Sequence, residues 1–170
     1  MDFKNYIRDI KDFPKKGIIY KDISPLLANI DVMKAAADAL FEGLQHQKID
    51  KVVGIESRGF FMATLLAERL NAGFVPIRKP GKLPYKVYTE TYDLEYGTDQ
   101  LEIHQDAILP GENVLLHDDV LATGGTAEAA IKLIRKLGGN LIESNFLIEL
   151  EFLNGREKIK TSAVQSLMKF

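Results

Sequence analysis

Val114–Thr126 reads VLLHDDVLATGGT, and its order of residue types decides the fold. VLLH is a short, mainly apolar run of the kind that forms a buried strand. Asp118–Gly125 is polar and contains two glycines. From Thr126 to Leu137 the residues Ala127, Ala130, Ile134 and Leu137 recur at steps of three and four, which predicts one apolar face of a helix, closed by Gly138-Gly139. Strand, polar loop and helix in that order form half of a βαβ unit.

The grammar repeats on the N-terminal side. Asp31–Lys48 carries Met33, Ala37, Leu40 and Leu44 on one helical face, with Asp31 as the expected N-cap. Lys51–Ile55 (KVVGI) is a short apolar run, followed by Glu56-Ser57-Arg58-Gly59 and the apolar-rich Phe60–Leu70. Gly73–Ile77 (GFVPI) reads as a further strand and Asn140–Leu150 as another. Strands alternating with helices predict an α/β fold, a mainly parallel twisted sheet flanked by helices. Lys79–His104 interrupts the alternation, with Pro80, Gly81, Pro84 and Gly97 between alternating stretches such as KVYTETY and QLEIH. It is expected as a mobile excursion with hairpin character. Its length favours a functional loop, and an edge hairpin of purely structural use stands as the alternative.

In an open α/β sheet, ligands collect at the carboxyl ends of the strands, where Asp118 and Asp119 stand. Alternation along a strand sends their side chains to opposite sides, so the two are not expected to share a proton. Each carboxylate can instead accept hydrogen bonds from sugar hydroxyls. Thr123-Gly124-Gly125-Thr126 then opens a helix, whose free N–H groups favour a phosphate and whose glycines allow close approach. The string suits a ribose followed by its 5′-phosphate. Competing motifs fail. Gly81-Lys82 is followed by Leu83, so there is no P-loop, and no G-x-G-x-x-G occurs. A phosphatase-like metal site at Asp118-Asp119 lacks a third carboxylate nearby in sequence, and the adjacent His117 is expected to be structural.

The 170 residues fit one domain with a small appended hood, and the net charge of −2 gives no reason to expect nucleic-acid binding. There are no cysteines, which suits the cytosol and excludes disulfides. No apolar run approaches the roughly 20 residues that span a bilayer. The N-terminus has no apolar core of the signal-peptide kind. The expectation is a cytoplasmic protein with no membrane or nucleic-acid partner.

VLLHDDVLATGGT resembles the phosphoribosyl pyrophosphate motif of type I phosphoribosyltransferases. Over nearly its whole length the chain looks like the adenine-specific branch, through FPKKGIIYKDISPLL at 13–27, GIESRGF at 54–60, IRKPGKLP at 77–84, LEYGTDQLEIH at 94–104 and GREKI at 155–159. The resemblance implies a type I phosphoribosyltransferase fold as a single domain, 1–170. Within it, 1–30 would be a base-recognition hood, 78–104 a flexible loop or hairpin, and 114–127 the phosphoribosyl pyrophosphate motif. It implies transfer of the phosphoribosyl group to adenine, giving AMP and pyrophosphate, with Mg²⁺ as cofactor, in a homodimer.

Residue by residue, it implies that Asp118 and Asp119 bind the ribose hydroxyls and Ala122, Thr123, Gly124, Gly125 and Thr126 the 5′-phosphate. Glu56, Ser57, Arg58 and Gly59 match the pyrophosphate loop, with Arg58 as its cation. Arg78, Lys79 and Lys82 match a basic cluster for pyrophosphate, part of which can come from a partner subunit. Pro80–Gly97 matches the flexible catalytic loop, and Glu95 the residue that hydrogen-bonds or protonates the purine at N7. Ile18–Lys21 matches the hood, with Ile19, Tyr20 and Lys21 at the adenine and Tyr20 stacking on it.

Two positions depart from the pattern. Lys21 stands where the family usually has arginine, and a point charge replaces a planar fork. His117 stands where an aliphatic residue is usual, and is expected to be structural. Taken singly, each assigned side chain also has an inert reading: a solvated charge run for Arg78, Lys79 and Lys82, a cap or an Asp118 partner for Arg58, core packing for Tyr20. Two other functions remain as alternatives, a transferase for a 6-oxopurine (hypoxanthine, guanine or xanthine) and a non-catalytic phosphoribosyl pyrophosphate sensor.

Overall fold

The computed structural model describes residues 1–93, 97–159 and 162–170. The chain divides into two compact units, Met1–Ala39 and Leu40–Phe170. In the first, β1 (Arg8–Lys11) pairs antiparallel with β2 (Ile19–Asp22), and α1 (Ser24–Ala28) follows. Helix α2 (Ile30–Glu42) begins on a different cap from the expected one. Asn29 Oδ1 accepts from the N–H groups of Asp31 and Val32, so Asn29, two residues before the expected cap Asp31, satisfies the open donors. The helix also stops at Glu42, short of the expected Lys48.

The second unit is built on five parallel strands in the order β4-β3-β7-β8-β9. They are β3 (Lys51–Ile55), β4 (Gly73–Ile77), β7 (Asn113–Leu121), β8 (Asn140–Glu149) and β9 (Ala163–Lys169). Helix α3 (Gly59–Arg69) links β3 to β4, and α4 (Gly125–Lys136) links β7 to β8. The mainly parallel α/β sheet expected from the sequence is therefore present. β7 is longer than VLLH, however. It continues through Asp118 and Asp119 to Leu121, with Asp118 opposite Phe146 and Leu121 opposite Glu149 on β8. Pairing with β8 runs on to Leu121, whereas pairing with β3 ends at His117, so β8 is what extends the strand past the polar residues.

Strands β5 (Val87–Asp93) and β6 (Thr98–His104) form an antiparallel hairpin. Its inner face is part of the core: Tyr92, Leu101 and Ile103 cluster with Ala127, Ile131 and Ile134 of α4 and with Val53, Ile77 and Leu116 of the sheet. The hairpin expected from the alternating stretches is thus a packed layer over Val87–Asp93 and Thr98–His104. Residues 94–96 lie outside the described residues.

Candidate active site

The site grows from the end of β7. Only Ala122, Thr123 and Gly124 separate that strand from α4. Gly124 caps the helix with φ +82°, a left-handed conformation that costs a side-chain-bearing residue more than glycine. Asp118, Val120, Ala122, Thr123, Gly124 and Thr126 line a cleft of about 50 Å³ there, with Leu121 and Ala127 behind them. Carboxylate, hydroxyls and the open N–H groups of α4 thus face one space, a charge and donor pattern suited to a sugar phosphate.

The second wall is the turn between β3 and α3. Gly59 sits so close to β7 that a Cβ there would come within 2.7 Å of Asp118 Oδ1 and 3.1 Å of the His117 carbonyl oxygen. That proximity carries Arg58 onto the aspartates, and its Nε lies 2.6 Å from Asp119 Oδ2. The contact is with Asp119, and the Arg58 charge also acts on Asp118, the partner of the inert sequence reading. Burial pushes Asp118 well up, and the charge of Asp119 adds to the rise. Burial raises Asp119 too, but Arg58 opposes it. The two carboxyls therefore sense each other and compete for a proton, against the expectation from simple alternation. The Asp118 carboxyl turns back along the strand to accept from the Asp119 N–H at 2.9 Å, which keeps the two groups together.

Glu56, whose peptide bond to Ser57 is cis, gathers the basic residues. Arg78 donates to both its oxygens, from Nε at 3.3 Å and Nη2 at 3.2 Å. Lys82 Nζ donates at 2.6 Å and the Lys79 backbone N–H at 2.9 Å. Burial alone would raise the Glu56 carboxyl, but these donors together hold it at about 2. The turn carrying Arg78 and Lys82 is pinned to β6, where Arg78 and Glu102 exchange backbone hydrogen bonds of 2.9 and 2.8 Å. Lys79 turns the other way. Its ammonium pairs with Asp99 and donates to Tyr92 Oη at 2.7 Å. Of the three expected cluster cations, Arg78 and Lys82 converge on Glu56, and Lys79 serves the hairpin with its side chain.

In the first unit, Ile19 is half exposed, and Tyr20 packs edge-to-face on Phe13 with ring centroids 5.1 Å apart. Lys21 Nζ donates to Asp9 Oδ1 at 2.7 Å across the β1–β2 pair. Glu95 lies outside the described residues. His117 is fully buried, and its Nδ1 lies 2.7 Å from Asn145 Oδ1. Burial lowers its pKa to about 4. It is a neutral structural group, as its place in the strand predicts.

Sequence reasoning missed the Glu56 hub, the Arg58–Asp119 pair and the Asp99–Lys79–Tyr92 set. Each joins residues brought together by sheet order. Only Glu56 gave a local signal, because a carboxylate at a strand end beside the Ser57-Arg58-Gly59 turn repels an anion and must serve a cation instead.

A phosphoribosyl transferase domain matches residues 22–166. An adenine phosphoribosyltransferase of Christiangramia forsetii is 63% identical over all of this chain and 99% of its own length. The crystal structure of an adenine phosphoribosyltransferase from Rhodothermus marinus superposes with a TM-score of 0.95 at 51% identity, covering 99% of this chain and 96% of that one. The chain belongs to the adenine phosphoribosyltransferase family. Another member, from Saccharomyces cerevisiae, was solved with an imino-altritol bisphosphate and adenine; it is 43% identical, with a TM-score of 0.92 over 98% of this chain and 96% of that one. The fold assigned from VLLHDDVLATGGT and the transferase class are thereby both established. Among the described residues, no helix is long and apolar enough to cross a membrane.

Proposed function

We propose that this transferase moves the 5-phosphoribosyl group from phosphoribosyl pyrophosphate to N9 of adenine, releasing pyrophosphate and forming AMP. The observation that carries the reading is the direct passage from the buried Asp118-Asp119 pair into the three-residue loop and the α4 N-terminus. Ribose hydroxyls and 5′-phosphate would be held a fixed distance apart by one continuous stretch of backbone.

Breaking the C1′–O bond ahead of attack leaves oxocarbenium-like charge on the ribose, as in glycoside hydrolysis. Asp118 and Asp119 hold the sugar by its hydroxyls. Arg58 and the Arg78–Lys82 pair neutralise the departing pyrophosphate, and the Ala122–Thr126 backbone and hydroxyls fix the 5′-phosphate. Glu95 hydrogen-bonds or protonates the purine at N7. Ile19, Tyr20 and Lys21 contact adenine, with Tyr20 as the stacking ring. The Lys21 charge is already engaged by Asp9, which favours adenine selection by ring and backbone contacts over a charged contact to a 6-oxo group.

The carboxyls of Asp118 and Asp119 are hard oxygen donors and fit Mg²⁺. Mg²⁺ would be held mainly by substrate oxygens and water, with these carboxyls as the protein's own hard donors; among the described residues no cluster of three or more acidic, histidine or cysteine side chains forms a cage. When bound, the ion spreads the negative charge of the leaving pyrophosphate. A cytoplasmic homodimer belongs to the same reading. It is supported by the family resemblance.

The test is to incubate the pure protein with phosphoribosyl pyrophosphate, Mg²⁺ and each purine separately, and to measure nucleotide formed. AMP from adenine alone is expected. Preferential use of a 6-oxopurine overturns the base assignment, and absence of any nucleotide overturns the activity.

A further inference from the structure

The short 3-10 turn Gly155–Lys158 supplies none of the assigned ligand contacts, yet it presses on the phosphate loop. A Cβ on Gly155 would collide with the Ala122 carbonyl oxygen and reach 3.1 Å from the Gly124 nitrogen, and a Cβ on Gly124 would collide with the Gly155 carbonyl oxygen. Backbone meets backbone, with no room for a side chain on either strand of the contact. The next residue, Arg156, closes a two-pronged ion pair on Glu149, Nε to Oε1 at 2.6 Å and Nη2 to Oε2 at 2.8 Å. Its Nη1 donates to the Val164 carbonyl oxygen on β9 at 2.8 Å. Glu149 is 4% exposed, and its register partner is Leu121, the last residue of β7 before the loop. The Leu150 N–H also donates to the Leu121 carbonyl oxygen at 2.9 Å.

We propose that Gly155 and Arg156, locked by Glu149, form a strap that sets the position of the 5′-phosphate loop Ala122–Gly124. The inference rests on the phosphoribosyl reading of that loop. A loop that offers its N–H groups to a ligand on one side must be supported from the other, because its own short span contains no side chain able to brace it. The strap supplies the support. Arg156 fixes its turn to the ends of β8 and β9, and Gly155 transmits that position by direct contact. The Arg156 donors point at Glu149, Val164 and Ser166, so Arg156 is a positioning residue and not a ligand contact. Lysine cannot reproduce the fork, since its ammonium is a point charge.

The test uses Arg156→Lys and Glu149→Gln, singly and together, with ribose 5-phosphate binding by calorimetry and steady-state kinetics. Small displacements of a positioning group cost large factors. The expected result is a rise of about tenfold in the KM for phosphoribosyl pyrophosphate and the Kd for ribose 5-phosphate in each single variant, with kcat and the adenine KM within about twofold. The double variant loses no more than the worse single one, because both changes break one device. Glu149→Gln preserves volume and keeps the test open should Arg156→Lys fold poorly. Ribose 5-phosphate affinity equal to wild type in the single variants overturns the strap alone, as does a loss spread equally over kcat and both substrates. A wild-type protein that binds no ribose 5-phosphate overturns the reading of the loop and this inference with it.

Discussion

Glu56 holds Arg78 through both carboxylate oxygens, at 3.3 and 3.2 Å, while Lys82 adds a third bond at 2.6 Å. The cations assigned to pyrophosphate are therefore already balanced by an anion of the protein's own. Under the proposed function, pyrophosphate would compete with Glu56 for the same donors, which would moderate its affinity and favour its release. Glu56→Gln keeps the side chain's shape and removes the charge. The expected outcome is pyrophosphate binding tightened by about tenfold, since a charge-assisted bond is worth on the order of 1.5–3 kcal/mol and only part of it is recovered. Calorimetric titration with pyrophosphate checks this. Unchanged or weakened affinity would show that Glu56 organises the cations more than it competes for them.

Asp118 and Asp119 are neighbours with different electrostatic roles, and substitution should separate them. Asp118 is pushed up by burial and by its neighbour's charge, so asparagine imitates the neutral form that burial favours. Asp119 balances Arg58 at 2.6 Å. Asp118→Asn should alter stability by less than about 1 kcal/mol, whereas Asp119→Asn leaves Arg58 uncompensated at a cost of about 1–3 kcal/mol. Both should lose phosphoribosyl pyrophosphate affinity, because each removes an acceptor for sugar hydroxyls. Denaturant unfolding and ligand titration provide the two readouts; equal stability losses would refute the division of roles. The raised Asp118 also gives binding a sign in pH. Burial and the neighbouring charge make proton loss from Asp118 harder than from an ordinary carboxylate, so if it accepts from a sugar as proposed, affinity should rise with pH.

What the sequence made legible was contiguous. Lys51–Ile55 and Gly73–Ile77 could be read to the residue as strands because each is a short apolar run with polar or glycine borders. The Asp118–Thr126 stretch was legible as the end of a strand, a short glycine loop and a helix start because its carboxylates, glycines and threonines follow one another. β9 escaped notice, since AVQSLMK has only a weak alternation and its partner β8 decides its place. The Glu56–Arg78 pair spans 22 positions, and the Gly155 contact with Ala122 depends on how β8 returns. Such relationships are set by sheet order, which local periodicity does not encode.

His117 is buried and neutral, with its pKa lowered from 6.5 to about 4 by loss of water, opposed by Asn145. Between those values the unfolded chain binds the proton and the folded one does not, so stability rises with pH through that window. Acidification from pH 7 to 4 should cost on the order of 3 kcal/mol from this residue. Glu143, pushed up to about 6 by burial, acts in the opposite sense between 4.5 and about 6. A comparison isolates the histidine: His117→Val with Asn145→Val removes both hydrogen-bonding partners together, which avoids leaving one of them unpaired. Urea unfolding across pH should show a shallower acid loss in the double variant. An unchanged pH slope would mean that His117 accepts its proton without unfolding.

The hairpin reaches the core through Tyr92, Leu101 and Ile103, and Leu101 is the one to remove. It is fully buried, opposite Glu90 in the β5–β6 register, and shares a cluster with Tyr92, Ile103 and the α4 face. Leu101→Ala removes packing on the inner face and leaves the Lys79–Asp99 ion pair and the hairpin's hydrogen bonds intact. A cavity at such a site costs about 2–5 kcal/mol. Because β5 and β6 pack on α4, the loss should appear in global unfolding, and amide exchange should accelerate first within Val87–His104. The same variant should lower turnover, since β6 also holds the Arg78–Lys82 turn through Glu102. A stability loss below about 1 kcal/mol would show that the hairpin folds on its own account, outside the cooperative unit formed by the sheet and α4.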